Sequence, residues 1–189
     1  MNARPELWLA RHGETEWSLS GQHTGRTDIP LTDRGRAAAG TLVRQLAGHS
    51  FEAVWTSGLQ RARETATLAG FPSAIVNPDL LEWDYGVYEG RTSADIRQTE
   101  PDWSIWTATV AGGESIDEVA ARARHAIETA SALGGNVLIF SHGHLLRILT
   151  STWLGLPPDA GRLFALDTTT VSVLGYEGSQ RVIRRWNQA

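Results

Sequence analysis

The chain has 189 residues, 41% hydrophobic and 20% charged, with a formal net charge of −4 and no cysteine. That is about one domain at roughly 150 residues per domain, with enough apolar content for one sizeable core, so wholesale disorder is excluded. The acidic balance argues against a nucleic-acid partner, and the missing cysteine excludes disulfides, thiolate metal sites and a cysteine nucleophile.

In chain order, Met1 to Glu6 is polar and has neither the basic nor the apolar segment of a secretory signal. Leu7-Trp8-Leu9-Ala10 reads as a short buried strand, followed by a polar, glycine-containing stretch to Pro30. Thr32 looks like an N-cap for a helix over Arg36–Leu46 that ends at Gly48. Ala53–Thr56 is a second strand. Ser57-Gly58-Leu59-Gln60 has the capping-box pattern and opens a helix that runs to Gly70. Ala74–Val76 is a third strand. Residues 78–114 look mostly irregular, with a short helix near Ser93–Gln98. Ser115 and Glu118 form a second capping box, before an amphipathic helix with Ile116, Val119, Ala123, Ile127 and Ala130 on one face. Asn136–Phe140 is a strongly buried strand, His144–Leu154 a helix stopped by Gly155, and Val171–Tyr176 and Arg181–Trp186 two closing strands. No apolar run reaches the ~18 residues of a membrane span, so the expected location is the cytoplasm with no membrane partner. Strands alternating with helices predict a single domain over residues 1–189, a three-layer α/β/α sandwich with a largely parallel central sheet. In such sheets ligands bind beyond the carboxyl ends of the strands.

Three predicted strand ends carry chemistry. The first is followed by Arg11-His12-Gly13, the second by Ser57 and Arg61, and the fourth by Ser141-His142-Gly143-His144. A neutral imidazole at His12 can act as a nucleophile if its second nitrogen is tied to an acceptor. Arg61 in the first turn of a helix opposes the macrodipole unless an anion binds there; pairing with Glu64 or Thr65 is the plainer reading. His142, if protonated, adds a donor and a charge for a phosphoryl group; the plainer reading is a hydrogen-bonded core histidine. Glu82, among Leu80, Leu81, Trp83 and Tyr85, is a candidate proton donor, with Asp84 as its competitor. All 17 basic residues are arginine, whose planar forks suit bidentate phosphate binding. His142 and His144 lack further ligands at metal-site spacing, so neither a metal nor another cofactor is expected. Two arginines, two histidines and one carboxyl group suit metal-free phosphoryl transfer. In it His12 attacks phosphorus, Arg11, Arg61 and His142 neutralise its oxygens, and Glu82 protonates the leaving oxygen.

The sequence resembles the histidine phosphatase superfamily, also called phosphoglycerate-mutase-like, over nearly its whole length. The resemblance rests on Arg11-His12-Gly13-Glu14-Thr15-Glu16-Trp17, Thr24-Gly25, Thr56–Ala62, Leu81–Gly90, Gly112–Ser115 and Ser141-His142-Gly143, in that order. It implies a phosphohistidine on His12, Glu82 as acid and base, and Thr24 and Gly25 at the substrate. Trp17-Ser18, Gln22–Gly25, Glu82–Gly86 and the pair Trp103/Trp106 resemble a subgroup of small acid phosphatases and sugar-bisphosphate phosphatases. That subgroup resemblance adds Ser18, Gln22, His23, Tyr85, Gly143 and His144 as candidate substrate-binding residues, His23 and His144 as donors to a second phosphate or a sugar hydroxyl. It implies a small phosphorylated metabolite as partner and leaves a homo-oligomer open. Mutases of this type carry an insertion after the proton-donor segment, and here only residues 91–113 separate Gly90 from Glu114. A phosphatase is therefore favoured over a mutase, and a non-catalytic phospholigand-binding module ranks last. Trp8, Trp55 and Trp153 fit the core; Trp17, Trp83, Trp103 and Trp106 either wall a pocket or pack loops down.

Overall fold

The computed structural model describes residues 4–189; Met1–Ala3, the first half of the polar N-terminal stretch, lie outside the described residues. The strands are β1 (Leu7–Arg11), β2 (Ala53–Thr56), β3 (Ile75–Val76), β4 (Val137–Ser141), β5 (Val171–Glu177) and β6 (Gln180–Gln188). The helices are α1 (Glu16–Ser20), α2 (Asp33–Leu46), α3 (Gln60–Leu68), α4 (Ser93–Arg97), α5 (Ile116–Ala132) and α6 (Gly143–Trp153). Short 3-10 turns cover Pro78–Leu80, Gly86–Tyr88 and Pro158–Leu163. The six strands form one sheet in the order β3-β2-β4-β1-β5-β6. The first four are parallel, and β5 and β6 close one edge antiparallel.

Side chains alternate across a strand, so a strand covered on both faces is apolar at every position. β4 is buried throughout and β1 nearly so. Leu7, Leu9, Val137 and Ile139 pack with Ala123 and Ile127 of α5 and Leu145, Leu149 and Trp153 of α6. Their neighbours Trp8, Ala10, Leu138 and Phe140 pack with Leu42 and Leu46 of α2, Ala66 of α3 and Ala69 at its C-cap. The three layers expected from the sequence follow from that alternation. Among the described residues, no helix is long and apolar enough to cross a membrane.

The parallel register aligns the strand ends that carry chemistry. Arg11 pairs with Ser141, and Thr56 with Phe140. One residue on, the His12 N–H donates to the Ser141 carbonyl at 2.9 Å and the Ser57 N–H to the Phe140 carbonyl at 3.0 Å. His12, Ser57 and His142 therefore leave the sheet side by side.

Three expected helix starts differ, the first being α2, which begins at Asp33 rather than Arg36. Ser57 does not cap α3: the N-cap is Leu59, with no side-chain cap bond, and the Ser57 hydroxyl lies 2.8 Å from His142 Nε2. α6 begins at Gly143 with His142 as N-cap, and His142 makes no capping bond. The expected N-cap at Thr32 accepts from the Gly35 N–H, and the expected capping box of Ser115 and Glu118 forms. The stretch read as irregular is ordered by carboxylates. Glu89 accepts from the N–H groups of Gly25 and Thr27, which joins the segment after α1 to the segment after β3. A Cβ at Gly25 would meet the Trp83 carbonyl at 2.5 Å, so only glycine allows this approach.

Candidate active site

His12 follows β1 and is 5% exposed. Its Nδ1 lies 2.7 Å from the Gly13 carbonyl, which can only accept, so Nδ1 carries the proton. Nε2 is then a bare lone pair without a protein partner among the described residues, on a residue that lines a cavity at the strand ends. Burial, then the charges of Arg61 and Arg11, push the imidazole well below its ordinary range, which holds it neutral.

Arg11 lines the same cavity; Nη1 donates to the Leu166 carbonyl, while Nε is buried with no acceptor among the described residues. Gly143 lies beside it: a Cβ there would stand 3.4 Å from the Arg11 Cζ, in ordinary contact. Arg61 is fully buried and does not pair with Glu64, which bonds Arg36 instead. It donates to His142 Nδ1 at 3.1 Å and to the carbonyls of Thr27, Gly25 and Thr24 at 2.9–3.1 Å. Because Nδ1 of His142 accepts from a guanidinium, its Nε2 carries the proton and donates to Ser57 Oγ. Burial and then Arg61 lower His142 well below its ordinary range. The protonated His142 expected from the sequence is thus replaced by a neutral ring, 5.1 Å from the His12 ring, with both nitrogens engaged. Arg61 and His142 sit beneath the cavity rather than on its lining, and their guanidinium–imidazole pair supports His12 from below.

Glu82 also lines the cavity and is 5% exposed. Its carboxylate accepts from the N–H groups of Trp83 at 3.0 Å, His144 at 3.0 Å and Leu145 at 2.8 Å. The last two are free donors of the first turn of α6, so Glu82 does the capping that His142 does not. Its competitor Asp84 is engaged elsewhere, with the Gly86 N–H and Arg26. Behind Glu82, Arg122 of α5 holds Glu114 through both carboxylate oxygens at 2.7 and 2.9 Å and donates to the carbonyls of Asp79 and Leu81. Glu114 in turn accepts from the Asp84 N–H.

The other expected substrate residues divide. His23, Thr24, Tyr85, Gly143 and His144 line the cavity. Tyr85 O–H and His144 Nδ1 are 2.6 Å apart; burial raises the phenol well above its ordinary value, so it keeps its proton and donates it to Nδ1. His144, held neutral mainly by burial, then presents Nε2–H. Burial lowers His23 to about 4. Ser18 and Gln22 also line the cavity, but their polar atoms are engaged, Ser18 in a capping box with Thr15 and Gln22 with the Gly90 carbonyl. Gly25 lies off the lining and instead orients Arg61 through its carbonyl. Trp17, Trp103 and Trp106 line the cavity, whereas Trp83 is fully buried packing.

Sequence reasoning missed Ser57 as a partner of His142, Arg122 behind Glu82, and Arg97, Ser104 and Arg147 on the lining. Arg122 and Arg147 sit in helices, where an arginine at helical spacing reads as a solvated face. The cavity holds about 320 Å³, and among the described residues no group of three or more His, Asp or Glu is placed to hold a metal ion.

With this geometry in place, comparison with known proteins finds the histidine phosphatase superfamily (branch 1) pattern over residues 7–189. A Mycobacterium tuberculosis acid phosphatase is 42% identical over 180 residues, covering 93% of this chain and 88% of the relative. A Saccharomyces cerevisiae sedoheptulose 1,7-bisphosphatase is 32% identical, covering 80% of this chain and 68% of the relative. A Photorhabdus laumondii protein named "Probable phosphoglycerate mutase GpmB" is 33% identical, covering 96% of this chain and 89% of the relative. Among solved structures, that of the Mycobacterium tuberculosis open reading frame Rv3214 superposes with a TM-score of 0.94 at 39% identity, covering 98% of each chain.

Proposed function

The chain belongs to the histidine phosphatase superfamily, and we propose that it hydrolyses small phosphomonoesters through a phosphohistidine on His12, as a single-domain cytoplasmic enzyme that needs no metal. One observation carries the reading: the His12 imidazole is neutral, its Nδ1–H is tied to Gly13, and its Nε2 lone pair faces a cavity beside uncompensated guanidinium charge. In the first step Nε2 attacks phosphorus, the bond from phosphorus to the ester oxygen breaks, and that oxygen takes a proton from Glu82. In the second, water attacks phosphorus, Glu82 takes its proton, and the P–N bond breaks to release phosphate and neutral His12. Arg11 meets the phosphoryl oxygens directly. Arg61 adds charge and the neutral His142 adds rigidity from below, so catalysis is mainly positioning plus electrostatics.

A mutase must keep water from its phosphoenzyme. The segment between Gly90 and Glu114 carries only the five-residue α4 and irregular chain, which favours hydrolysis over transfer to a second substrate. The test is phosphate release from p-nitrophenyl phosphate with excess EDTA, for wild type and His12→Ala together. Wild-type activity should survive EDTA, and the variant should lose at least about 10³-fold while keeping its fold. Activity retained in His12→Ala would overturn the phosphohistidine route. Isomerisation of phosphoglycerate with little free phosphate would replace hydrolase by mutase.

A further inference from the structure

Arg147 lies on α6 one turn beyond Gly143 and His144, and all three line the cavity. Four residues at 1.5 Å each put its Cα about 6 Å further along the helix axis than that of Gly143, at the end away from β4. Helical side chains lean toward the N-terminus, which brings the guanidinium back over the cavity. Its position is fixed three ways. Nε donates to the Gly161 carbonyl at 3.0 Å, Nη2 to the Arg162 carbonyl at 3.2 Å, and the guanidinium lies 4.6 Å from the Trp106 ring centroid. None of these partners is an anion. Among the described residues no carboxylate lies within salt-bridge distance of Arg147, and Nη1 has no hydrogen-bond partner. Arg97, also on the lining, bonds only the Trp103 carbonyl.

The lining thus holds Arg11, Arg97 and Arg147 against one carboxylate, Glu82, which is already occupied by three N–H groups. Arg11 and Arg147 also repel each other: after burial, Arg11 is the largest influence lowering the Arg147 pKa. One phosphoryl group at His12 uses Arg11 and leaves Arg147 uncompensated. His144 presents its Nε2–H to the same cavity, with its ring 5.0 Å from that of Trp106, the ring that carries Arg147.

We propose that the Arg147 guanidinium, with the His144 Nε2–H beside it, forms a second anion subsite, and that the substrates are phosphomonoesters bearing another anionic group at their far end. This rests on the phosphomonoesterase reading above and narrows it. A second phosphate and a carboxylate share the chemistry of bidentate binding to a guanidinium, and the experiment separates them.

The test measures binding to His12→Ala, so that no turnover intervenes, by calorimetry on two ligand pairs. Fructose 1,6-bisphosphate against fructose 1-phosphate reads a second phosphate, and 3-phosphoglycerate against glycerol 3-phosphate reads a carboxylate. In at least one pair the doubly anionic ligand should bind about 10- to 100-fold tighter. That advantage should shrink to within about twofold in His12→Ala/Arg147→Met and return in part in His12→Ala/Arg147→Lys, which keeps the charge without the fork. Inorganic phosphate, which reads only the His12 end, controls for folding and should bind the single and double variants alike. The pair with the larger advantage identifies the anion. Equal affinities within both pairs, or an advantage that survives Arg147→Met, would overturn the subsite while leaving the phosphatase reading intact. Absence of phosphate binding to every variant would overturn both. A purely structural Arg147 would lower all affinities together and leave the ratio unmoved.

Discussion

The charge state of His12 is set by opposing influences. The Gly13 carbonyl favours a protonated ring, while burial and two guanidinium groups disfavour it more strongly. The nucleophile therefore stays neutral in mild acid. An imidazole titrating at its ordinary value of about 6.5 would leave only about 3% of the neutral form at pH 5. The expected kcat for p-nitrophenyl phosphate at pH 5 is at least half that at pH 7, and a steep acid limb centred near 6.5 would count against this charge balance. That Arg11, His12 and Glu82 meet at one cavity was legible from their places at strand ends or among apolar neighbours. The environment of His142 was not, because its neutrality comes from burial and then from the facing Arg61, 81 residues away in sequence. Arg147 was hidden for a related reason: nothing in the sequence around it shows that the residue faces a cavity rather than water.

Most elements were readable from periodicity and caps, since β1, β4 and α5 announce both their faces and their ends. The start of α6 was misplaced by one residue because its cap comes from Glu82, far away in the chain, and no local pattern signals that. Ser57-Gly58-Leu59-Gln60 failed as a capping box because Ser57 still belongs to the strand end and turns to His142. The segment that carries Glu82 depends on the Arg122–Glu114 pair, in which each side chain is 18% exposed. Removing Arg122 leaves Glu114 only the more exposed Arg26, at 3.2 Å, as counter-charge, and the carbonyls of Asp79, Leu81 and Glu82 lose their donor. Arg122→Ala is expected to destabilise by roughly 2–4 kcal/mol. That is a fall in Tm on the order of 5–15 °C at this chain length. It should also lower kcat more than it raises KM, because Glu82 and not the phosphate end is displaced. A stable variant with unchanged kcat would assign the pair no part in holding Glu82.

Across the whole molecule, His12, His23, His142 and His144 are all lowered, His23 to about 4 and the others well below the ordinary value. The unfolded chain takes up these protons near pH 6.5 and the folded chain does not. Between about 6.5 and 4 the unfolded state binds more protons, so stability is full above 6.5 and falls as pH drops through that window. Unfolding free energy measured against pH should lose about 1.4 kcal/mol per pH unit for each such histidine. His23→Gln should remove one histidine's share of the slope, and a flat profile would contradict the buried neutral rings. The register that sets Arg11 opposite Ser141 has a kinetic side as well. β4 is buried at every position and hydrogen-bonded on both sides, so its amides, and those of β1 beside it, should exchange with deuterium only when the whole sheet opens. Arg97 and Trp106 belong to the largely irregular stretch after Gly90, whose amides should exchange through smaller, earlier openings. Discrimination among substrates would then fade at denaturant concentrations that still leave simple phosphate esters being cleaved.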